Sequence, residues 1–367
     1  MVTRTLLWSA LLALGATSAA SQTIRGTVLD SLTGVPVRDA LVTLVSDDEV
    51  ILARSLSLDS GAYAMTAPSP GRYTIRTKRI GYRAVRSAPF DIAQGEVRRH
   101  DVLAPTTRVK LPSVTVRANR HCVVRPGDGA PAFQLWEEVR TALYQTAIAQ
   151  RGELYKTHAR RWMRELDTLA RFVHSDSSWY LSGMAQAPFA SVPAEHLERV
   201  GFIERKSSDT WYYYAPDADV LLSEVFLRGY CFRVVEGEEG LIGLAFEPAK
   251  KRRVSGITGT LWLDAETAAL RHLEFQYTKL PWNVPAKRVG GRVEFEQLAS
   301  GLWIVRRWYV RAPRMGIERT FFRYNRSTHF RTRERFVSII EHGGEVIETR
   351  ALVRHASLNL LRNDPGL

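Results

Sequence analysis

The residues of this chain that could hold a metal ion are nine histidines and two cysteines, together with its carboxylates. A catalytic zinc site needs three closely placed protein ligands and an open position for water. The histidines are scattered and no HExxH pattern occurs, while the HxxE stretch His342-Gly343-Gly344-Glu345 has a Gly-Gly centre that predicts a hairpin turn. His121 stands beside Cys122 without further ligands close in sequence. The spacing therefore predicts no metal site.

His174, Asp176 and Ser177 supply the three residue types of a hydrolytic triad. They lie too close in sequence for the usual geometry of a triad, so we expect a polar turn there. The carboxylate pairs Glu137-Glu138 and Glu238-Glu239 are adjacent in sequence, and their side chains should point apart. No GxSxG elbow and no glycine-rich phosphate loop occurs. We expect a protein that is not an enzyme and needs no cofactor, with an unrecognised hydrolase as the alternative.

The first 20 residues predict a signal peptide. Arg4 is basic, residues 6–15 are apolar, and residues 18–20 form a small-residue cleavage site. We therefore expect an exported protein that is periplasmic or associated with the outer membrane. No later apolar run reaches the roughly 18 residues of a membrane-spanning helix, so we expect no transmembrane segment after signal cleavage. An uncleaved anchor helix is the alternative.

Export would place Cys122 and Cys231 where disulfides persist, and we expect a bridge between them. It would close a loop of roughly 110 residues and contribute about 4–5 kcal/mol in the chain-entropy model. Two separate buried thiols are the alternative, because the sequence does not fix the distance between the two residues.

The formal net charge is +13, and much of the excess lies late in the chain, at 250–253, 306–307 and 331–335. Such a charge favours anionic partners, which outside the cytoplasm are lipid head groups of the envelope rather than nucleic acid. We therefore expect an anionic envelope surface as a partner and no nucleic acid. A solvated strand face is the alternative. Hydrophobic residues make up 45% of the chain, enough to bury ordinary cores.

Residues 24–104 combine short alternating apolar runs with turn sequences such as Asp59-Ser60-Gly61. This pattern is typical of antiparallel strands joined by tight turns, and about seven of them predict a β-sandwich. The stretches IRGTVLDSLTGVPVRDALVTL, DSGAYAM and GRYTIRTKRIGYR resemble the carboxypeptidase regulatory-like domain over residues 23–104. The resemblance implies a transthyretin-like sandwich without catalytic residues of its own, as found at the front of many TonB-dependent receptors.

The stretch LPSVTVRA is similar to the segment that leads from this sandwich to the plug of such receptors, and it predicts an extended linker over 105–131. The remaining residues are too few for a receptor's membrane domain of roughly 22 strands. We therefore expect a different domain over 132–355, with a smaller membrane domain as the alternative.

This second domain is predicted to begin with a helix over 132–150. Its apolar residues recur at steps of three and four, with Glu137, Glu138 and Arg140 off the stripe. The core-facing stripe comprises Phe133, Trp136, Val139, Leu143 and Ala147.

Strands follow the helix, including hairpins over 257–277 and 292–310 that alternate between apolar and polar residues. Each sheet should therefore have one wet and one apolar face. The fold class we predict is mainly β, a transthyretin-like β-sandwich followed by an α+β domain with a curved antiparallel sheet packed on a helix.

The stretches GLIGLAFEP, GTLWLDAETAALRHLEFQY and GGRVEFEQLASGLWIVRRW resemble lipoprotein-sorting (LolA/LolB-like) proteins and related outer-membrane half-barrel domains over about 150–350. The resemblance implies a half-barrel-like domain that holds an acyl chain in an apolar hollow. Alternatively, its inner residues pack on the helix and leave no cavity. The implied lipid-binding candidates are Trp262, Leu273, Phe275, Phe295, Trp303 and Val305.

The function expected from these patterns is binding without catalysis, by an exported cell-envelope protein that holds a lipid, a lipoprotein acyl chain or an outer-membrane partner. The alternative is a structural or adaptor module, related to the signalling part of TonB-dependent receptors, that docks on envelope proteins or glycans.

Overall fold

The computed structural model of the chain describes residues 22–352 except 106, 110, 112–130, 152–153, 185–186, 208–209, 239, 250–252, 281–283 and 325–326. At 322–324, 327–329 and 351 it describes the backbone alone. The predicted signal peptide, most of the predicted linker over 105–131, His121 and Cys122 lie outside the described residues. The described part is mainly β with few helices, which confirms the predicted fold class.

Residues 22–104 form two sheets that pack face to face as a β-sandwich. One sheet has the order β4-β1-β8 with β9 also on β1, and the other has the order β3-β2-β5-β6 with β7 on β5. Ile24 and Val28 from the first sheet share a core with Leu44 and Ile75 from the second. The strands are β1 (Gln22–Asp30), β2 (Leu41–Ser46), β3 (Ile51–Leu56), β4 (Ala62–Ala67), β5 (Gly71–Lys78), β6 (Val85–Arg86), β7 (Phe90–Ile92), β8 (Val97–Arg99) and β9 (Val102–Ala104).

The remaining described residues build a nine-stranded antiparallel sheet, four α-helices and a short 3-10 helix at Ala286–Arg288. The sheet order is β11-β10-β20-β19-β18-β17-β16-β15-β14, and a two-stranded sheet of β12 and β13 lies apart. The helices are α1 (Pro131–Arg151), α2 (Ala194–Val200), α3 (Ala218–Leu222) and α4 (Glu224–Gly229). The strands are β10 (Tyr155–Leu166), β11 (Val173–Met184), β12 (Ile203–Arg205), β13 (Trp211–Tyr213), β14 (Tyr230–Glu236), β15 (Leu241–Pro248), β16 (Ile257–Asp264), β17 (Leu270–Tyr277), β18 (Gly290–Gln297), β19 (Trp303–Tyr324) and β20 (Ser327–Ala351).

Helix α1 lies between the nine-stranded sheet and the sandwich. Trp136 contacts Phe232 of the sheet, with ring centroids 5.9 Å apart. Ile148 packs with Leu41 and Leu56 of the sandwich. Because both sides of the helix are covered, α1 buries more residues than a one-sided stripe would. None of the helices in the described residues is long and apolar enough to span a membrane.

The predicted helix stripe is confirmed for four of its five residues, which are buried, while Phe133 is half-buried. Glu138, predicted to lie off the stripe, is in fact 1% exposed. Its Oε1 lies 2.5 Å from Nζ of Lys78, and its Oε2 accepts a hydrogen bond of 2.9 Å from the backbone N–H of Gly81. The sandwich supplies both partners, so the position of Glu138 follows from a contact between distant parts of the chain.

The hairpins predicted over 257–277 and 292–310 are confirmed as β16–β17 and β18–β19. The turn predicted at Gly343-Gly344 is wrong, because both glycines lie within the continuous strand β20. A Cβ on Gly343 would lie 2.2 Å from the ring of Trp162, and a Cβ on Gly344 would lie 2.8 Å from Nε1 of Trp308. The two glycines therefore make room for two indoles.

Candidate functional site

A cavity of about 220 Å³ lies between α1 and the nine-stranded sheet. Apolar side chains of the sheet form one wall, and the last turns of α1 form the other. Segments 187–190 and 216–221 close its sides. The lining residues from α1 are Leu143, Thr146, Ala147, Gln150 and Arg151, and those from the sheet are Leu273, Val293, Phe295 and Val305. We call this cavity the apolar lobe.

A second cavity of about 150 Å³, which we call the polar lobe, adjoins the first. Both cavities are lined by Gln150, Pro188 and Val305. The polar lobe continues toward β10 and β11, where Arg161 and Arg306 are among its lining residues. Together the two lobes form a hollow with an apolar end and a polar end, and Glu345 lines the polar end together with the two arginines.

Arg161 is the unusual residue of the polar lobe. Its side chain donates a hydrogen bond to the backbone carbonyl of Pro188, and its guanidinium lies 5.1 Å from the ring centroid of Trp308. Burial lowers the pKa of Arg161, although an arginine remains a cation at neutral pH. Among the described residues no carboxylate lies within ion-pair distance of it. A half-buried cation without a protein anion is suited to an anionic ligand.

Five of the six lipid-binding candidates face α1, and three of them, Leu273, Phe295 and Val305, line the apolar lobe. Phe275 is buried in the same core but does not line this lobe. Trp303 lines another cavity, of about 400 Å³, between the sandwich and the sheet. Whether any of these residues contacts a lipid stays a prediction.

Trp262 is the exception and lies on the opposite face of the sheet. It is paired in register with His272, and a Cβ on the neighbouring Gly243 would lie 2.8 Å from its ring. Leu261 and Leu263, both fully buried, face the helix instead. The predicted placement of Trp262 on the inner face is therefore wrong. Leu261, Trp262 and Leu263 are all apolar, so hydrophobicity alone does not tell which of them face the helix.

Sequence reasoning missed Arg161 and the segment 187–190. The signal for Arg161 was the alternation of β10, which places it on the same face as Ala159. That alternation does not say which face turns toward a hollow. Segment 187–190 has no periodic pattern, because it is a connection between elements.

The polar turn predicted at residues 174–177 is wrong, because these residues lie in a strand. His174, Asp176 and Ser177 lie in strand β11, so Ser177 points to the face opposite the other two. Asp176 accepts a hydrogen bond of 2.9 Å from Nε of Arg164. Within the described residues no group of three His, Cys, Asp or Glu side chains could hold a metal ion.

A separate cluster of titratable groups surrounds Glu204. Its carboxylate accepts hydrogen bonds from Lys206 at 2.6 Å and Tyr214 at 2.7 Å, and Nε2 of His196 lies at 3.1 Å. These hydrogen bonds, led by the one from Lys206, lower the pKa of Glu204 to about 2. Glu204 lines neither lobe of the hollow.

Cys231 lies on β14 and is 1% exposed. Its predicted partner Cys122 lies outside the described residues. The bridge between them stays a prediction.

Residues 23–104 match the family model of the carboxypeptidase regulatory-like domain, as the sequence motifs predicted. The match covers less than a quarter of the chain. A comparison with curated protein sequences finds no match.

Several solved structures align with parts of the chain. Klebsiella pneumoniae 5-hydroxyisourate hydrolase is 19% identical, over 23% of this chain and 91% of that one, with a TM-score of 0.20. The Bacillus anthracis TIE protein is 13% identical, over 44% and 27%, with a TM-score of 0.22. A streptococcal ancillary pilin is 9% identical, over 65% and 62%, with a TM-score of 0.21. These TM-scores are too low to support an argument about function.

Proposed function

We propose that the protein is an exported, non-catalytic binding module of the cell envelope that holds the acyl chain of a lipid or lipoprotein. The observation that carries this proposal is the hollow itself, an apolar lobe that adjoins a half-buried arginine without a protein anion. An amphipathic ligand with an apolar tail and an anionic head matches both ends of the hollow.

The apolar lobe would hold part of the tail. Burial of each methylene contributes about 0.8 kcal/mol, so even a short buried stretch stabilises the complex. A cavity of about 220 Å³ is small for a whole lipid, and the rest of the tail would extend through the adjoining lobe or the open side of the hollow.

The head group would lie in the polar lobe beside Arg161. A guanidinium can donate two parallel hydrogen bonds to a carboxylate or phosphate. Arg306 adds a second cation, although it already pairs with Glu296 at 3.4 Å. Arg161 should therefore contribute more than Arg306 to recognition of the head.

The predicted signal peptide supports the envelope location that this function requires. The sandwich supports the function indirectly. It packs on α1, the helix that forms one wall of the hollow, and so holds that wall in place.

Strand β11 favours a second candidate function, that of an adaptor. It lies at the edge of the nine-stranded sheet, and almost all of its side chains are exposed, including Trp179, Tyr180 and Leu181. An uncovered edge strand can pair with a strand of another protein. A folded protein without any lipid in the hollow would favour this candidate.

Titration with a fluorescent long-chain fatty acid tests the acyl-chain proposal. We expect saturable binding, and Arg161→Gln should weaken it about ten- to hundredfold because a hydrogen-bonded charge pair is lost. Arg160→Gln is the matched control, since it makes the same charge change at the adjacent residue on the opposite face. Absence of saturable binding, or equal affinity of the two variants, would contradict the proposal.

A further inference from the structure

The sandwich meets the nine-stranded sheet beside α1, and a cavity of about 400 Å³ remains between them. Gly81 of the sandwich packs on the turn between β16 and β17, since a Cβ at this position would lie 2.7 Å from the carbonyl oxygen of Thr267. Asp39 packs on the turn between β18 and β19, where a Cβ on Gly301 would lie 1.7 Å from Oδ2 of Asp39. Asp39, Gly81 and Thr267 all line the cavity, so both contacts border it. We call this cavity the sandwich–sheet cleft.

Charged side chains without a close partner line this cleft in equal numbers. The carboxylates are Asp39 and Glu266, and the guanidiniums are Arg79 and Arg108. Among the described residues, the one opposite charge within 4 Å of any of these four is that of Arg38, whose Nε lies 3.6 Å from Oδ2 of Asp39. The cleft therefore holds charges of both signs that the protein itself leaves largely uncompensated.

The other two charged side chains of the cleft, Arg271 and Glu296, already have partners. Nη2 of Arg271 lies 2.6 Å from Asp264, and Glu296 pairs with Arg306 at 3.4 Å. The lining as a whole thus has no net charge. Because recognition matches charges of opposite sign, a ligand that fits this cleft should carry both an anionic and a cationic group.

Asp39 is the most buried of the unpaired charged groups. The residue is 9% exposed, and its carboxylate accepts no hydrogen bond in the part of the chain that the structure describes. Nε2 of Gln145 donates a hydrogen bond of 2.7 Å to the backbone carbonyl of Asp39 and so holds the residue against α1. A buried carboxylate without a hydrogen-bond donor gains strongly from a donor that a ligand supplies.

Arg79 is the cation best placed to act together with Asp39. Burial raises the pKa of Asp39, and the charges of Arg38 and Arg79 oppose this effect. Arg79 therefore lies close enough to influence Asp39 electrostatically, although the two are not within ion-pair distance. Its exposed side chain remains available to an anionic group of a ligand.

Apolar side chains complete the lining. Ile80, Phe295 and Trp303 border the cleft, and Phe295 and Trp303 also belong to the core between α1 and the sheet. They offer a preformed apolar surface beside the charged groups. A volume of about 400 Å³ is typical of a site for a small molecule.

We propose that the sandwich–sheet cleft binds an amino acid or a short peptide with an apolar side chain. The ammonium group of the ligand donates hydrogen bonds to Asp39, its carboxylate accepts them from Arg79, and its side chain contacts Phe295 and Trp303. The cleft shares only Phe295 with the apolar lobe, so this proposal does not depend on an acyl chain in the hollow.

Isothermal titration calorimetry of the purified full-length protein tests the proposal, with the dipeptide Leu-Leu and with leucine as separate probes. We expect saturable binding of at least one, and the comparison shows whether a peptide or a free amino acid fits better. The N-acetylated form of the probe that binds has no ammonium group, and its amide has no carboxylate. Each blocked form should bind about ten- to hundredfold more weakly, because a charge-assisted hydrogen bond is lost.

Substitutions assign the two charges of the ligand to their partners. Asp39→Asn should abolish the difference in affinity between the free and the N-acetylated probe, and Arg79→Gln should abolish the difference between the free probe and its amide. Asp91→Asn and Arg83→Gln are the matched controls, since they make the same changes at exposed positions of the sandwich that do not line the cleft. Both controls should keep both differences.

Three results would overturn the proposal. They are the absence of saturable binding of either probe, equal affinity for the free and blocked forms, and equal effects of the cleft and control substitutions. Binding of fatty acid in the hollow is measured separately, so failure of one assay leaves the other proposal intact.

Discussion

The indole of Trp162 on β10 packs directly against Gly343 of the neighbouring strand β20. A Cβ on Gly343 would lie 2.2 Å from the indole ring carbons, which is far inside van der Waals contact. The indole is held in place by its Nε1–H, which donates a hydrogen bond of 2.9 Å to the buried carboxylate of Glu341. Nε of Arg311 donates to the same carboxylate at 2.7 Å. Glycine is therefore required at 343 by the indole and not by a turn.

Gly343→Ala should lower the free energy of unfolding by about 1–3 kcal/mol, because the new methyl group forces the indole or the strand to move. Gly183→Ala is the control, since nothing lies within 4 Å of a Cβ at that position and it too lies in a strand. The control should change stability little or raise it slightly. Urea unfolding of the three proteins measures the difference, and equal stabilities would show that the indole does not restrict position 343.

Local patterns in the sequence predicted the sandwich, helix α1 and the two hairpins, because each depends on periodicity within a short stretch. The wrong predictions concern residues whose environment is set by side chains that are distant in sequence. The sequence Gly343-Gly344 is typical of a turn, and only the position of Trp162 and Trp308 on the neighbouring strands explains why both glycines lie within a strand. The sequence around Glu138 predicts a solvated side chain, because it does not show that the sandwich covers α1.

Lys78→Met should lower the free energy of unfolding by about 3–5 kcal/mol, because it leaves the carboxylate of Glu138 buried without a cation. Burial already raises the pKa of Glu138, against the opposing effect of Lys78. The double variant Lys78→Met, Glu138→Gln should recover most of the loss, since no buried charge is then left unpaired. Urea unfolding of the single and double variants measures this coupling.

Arg86 and Glu49 provide the comparison for this ion pair, because their side chains are 46% and 67% exposed. Arg86→Ala should cost less than about 1 kcal/mol. If Lys78→Met were as mild as Arg86→Ala, the contact between α1 and the sandwich would not depend on the buried pair.

Asp39 should make the stability of the protein depend on pH. Burial raises its pKa from 3.8 to about 6. The folded protein thus holds a proton that the unfolded chain releases, so the stabilisation by protonated Asp39 is complete below pH 4 and is lost as the pH rises to about 6. Asp39→Asn stays neutral, and it should equal the unchanged protein in stability near pH 4 and exceed it by about 3 kcal/mol above pH 6.

Urea unfolding between pH 4 and pH 8 measures this difference. Asp91→Asn is the control, because it makes the same substitution at an exposed position of the sandwich. The difference in the free energy of unfolding between Asp39→Asn and the unchanged protein should grow as the pH rises. A difference that stays constant would show that Asp39 does not cause the pH dependence.

The predicted bridge between Cys122 and Cys231 can be tested by intact mass. The exported protein, kept from reductants, should weigh two hydrogen atoms less than the reduced chain, and Cys122→Ser should abolish this difference. A bridged sulfur has no free thiol, so alkylation of the unreduced, denatured protein should label neither residue. Two alkylated thiols in the unreduced, denatured protein would show that the bridge does not form.

The sequence could predict an apolar hollow as the kind of candidate site, but not the position of that hollow. Apolar residues such as Leu273 and Val305 were named because the resemblance to half-barrel domains implies that they lie on the inner face. Arg161 was not, because an arginine in an alternating strand looks solvated until the fold places Trp308 and Pro188 around it. Side-chain packing between α1 and the sheet determines which inner residues line a cavity. The periodicity of the sequence contains no information about that packing.

Native mass spectrometry of the protein, extracted mildly from the cells that produce it, tests the central claim most directly. We predict a fraction of the folded protein with the added mass of an acyl-chain ligand. Ala147→Phe, which fills the apolar lobe from α1, should lose that mass while keeping its thermal unfolding transition. A folded wild-type protein that shows only the mass of its own chain, both after extraction and after incubation with fatty acid, would contradict the claim.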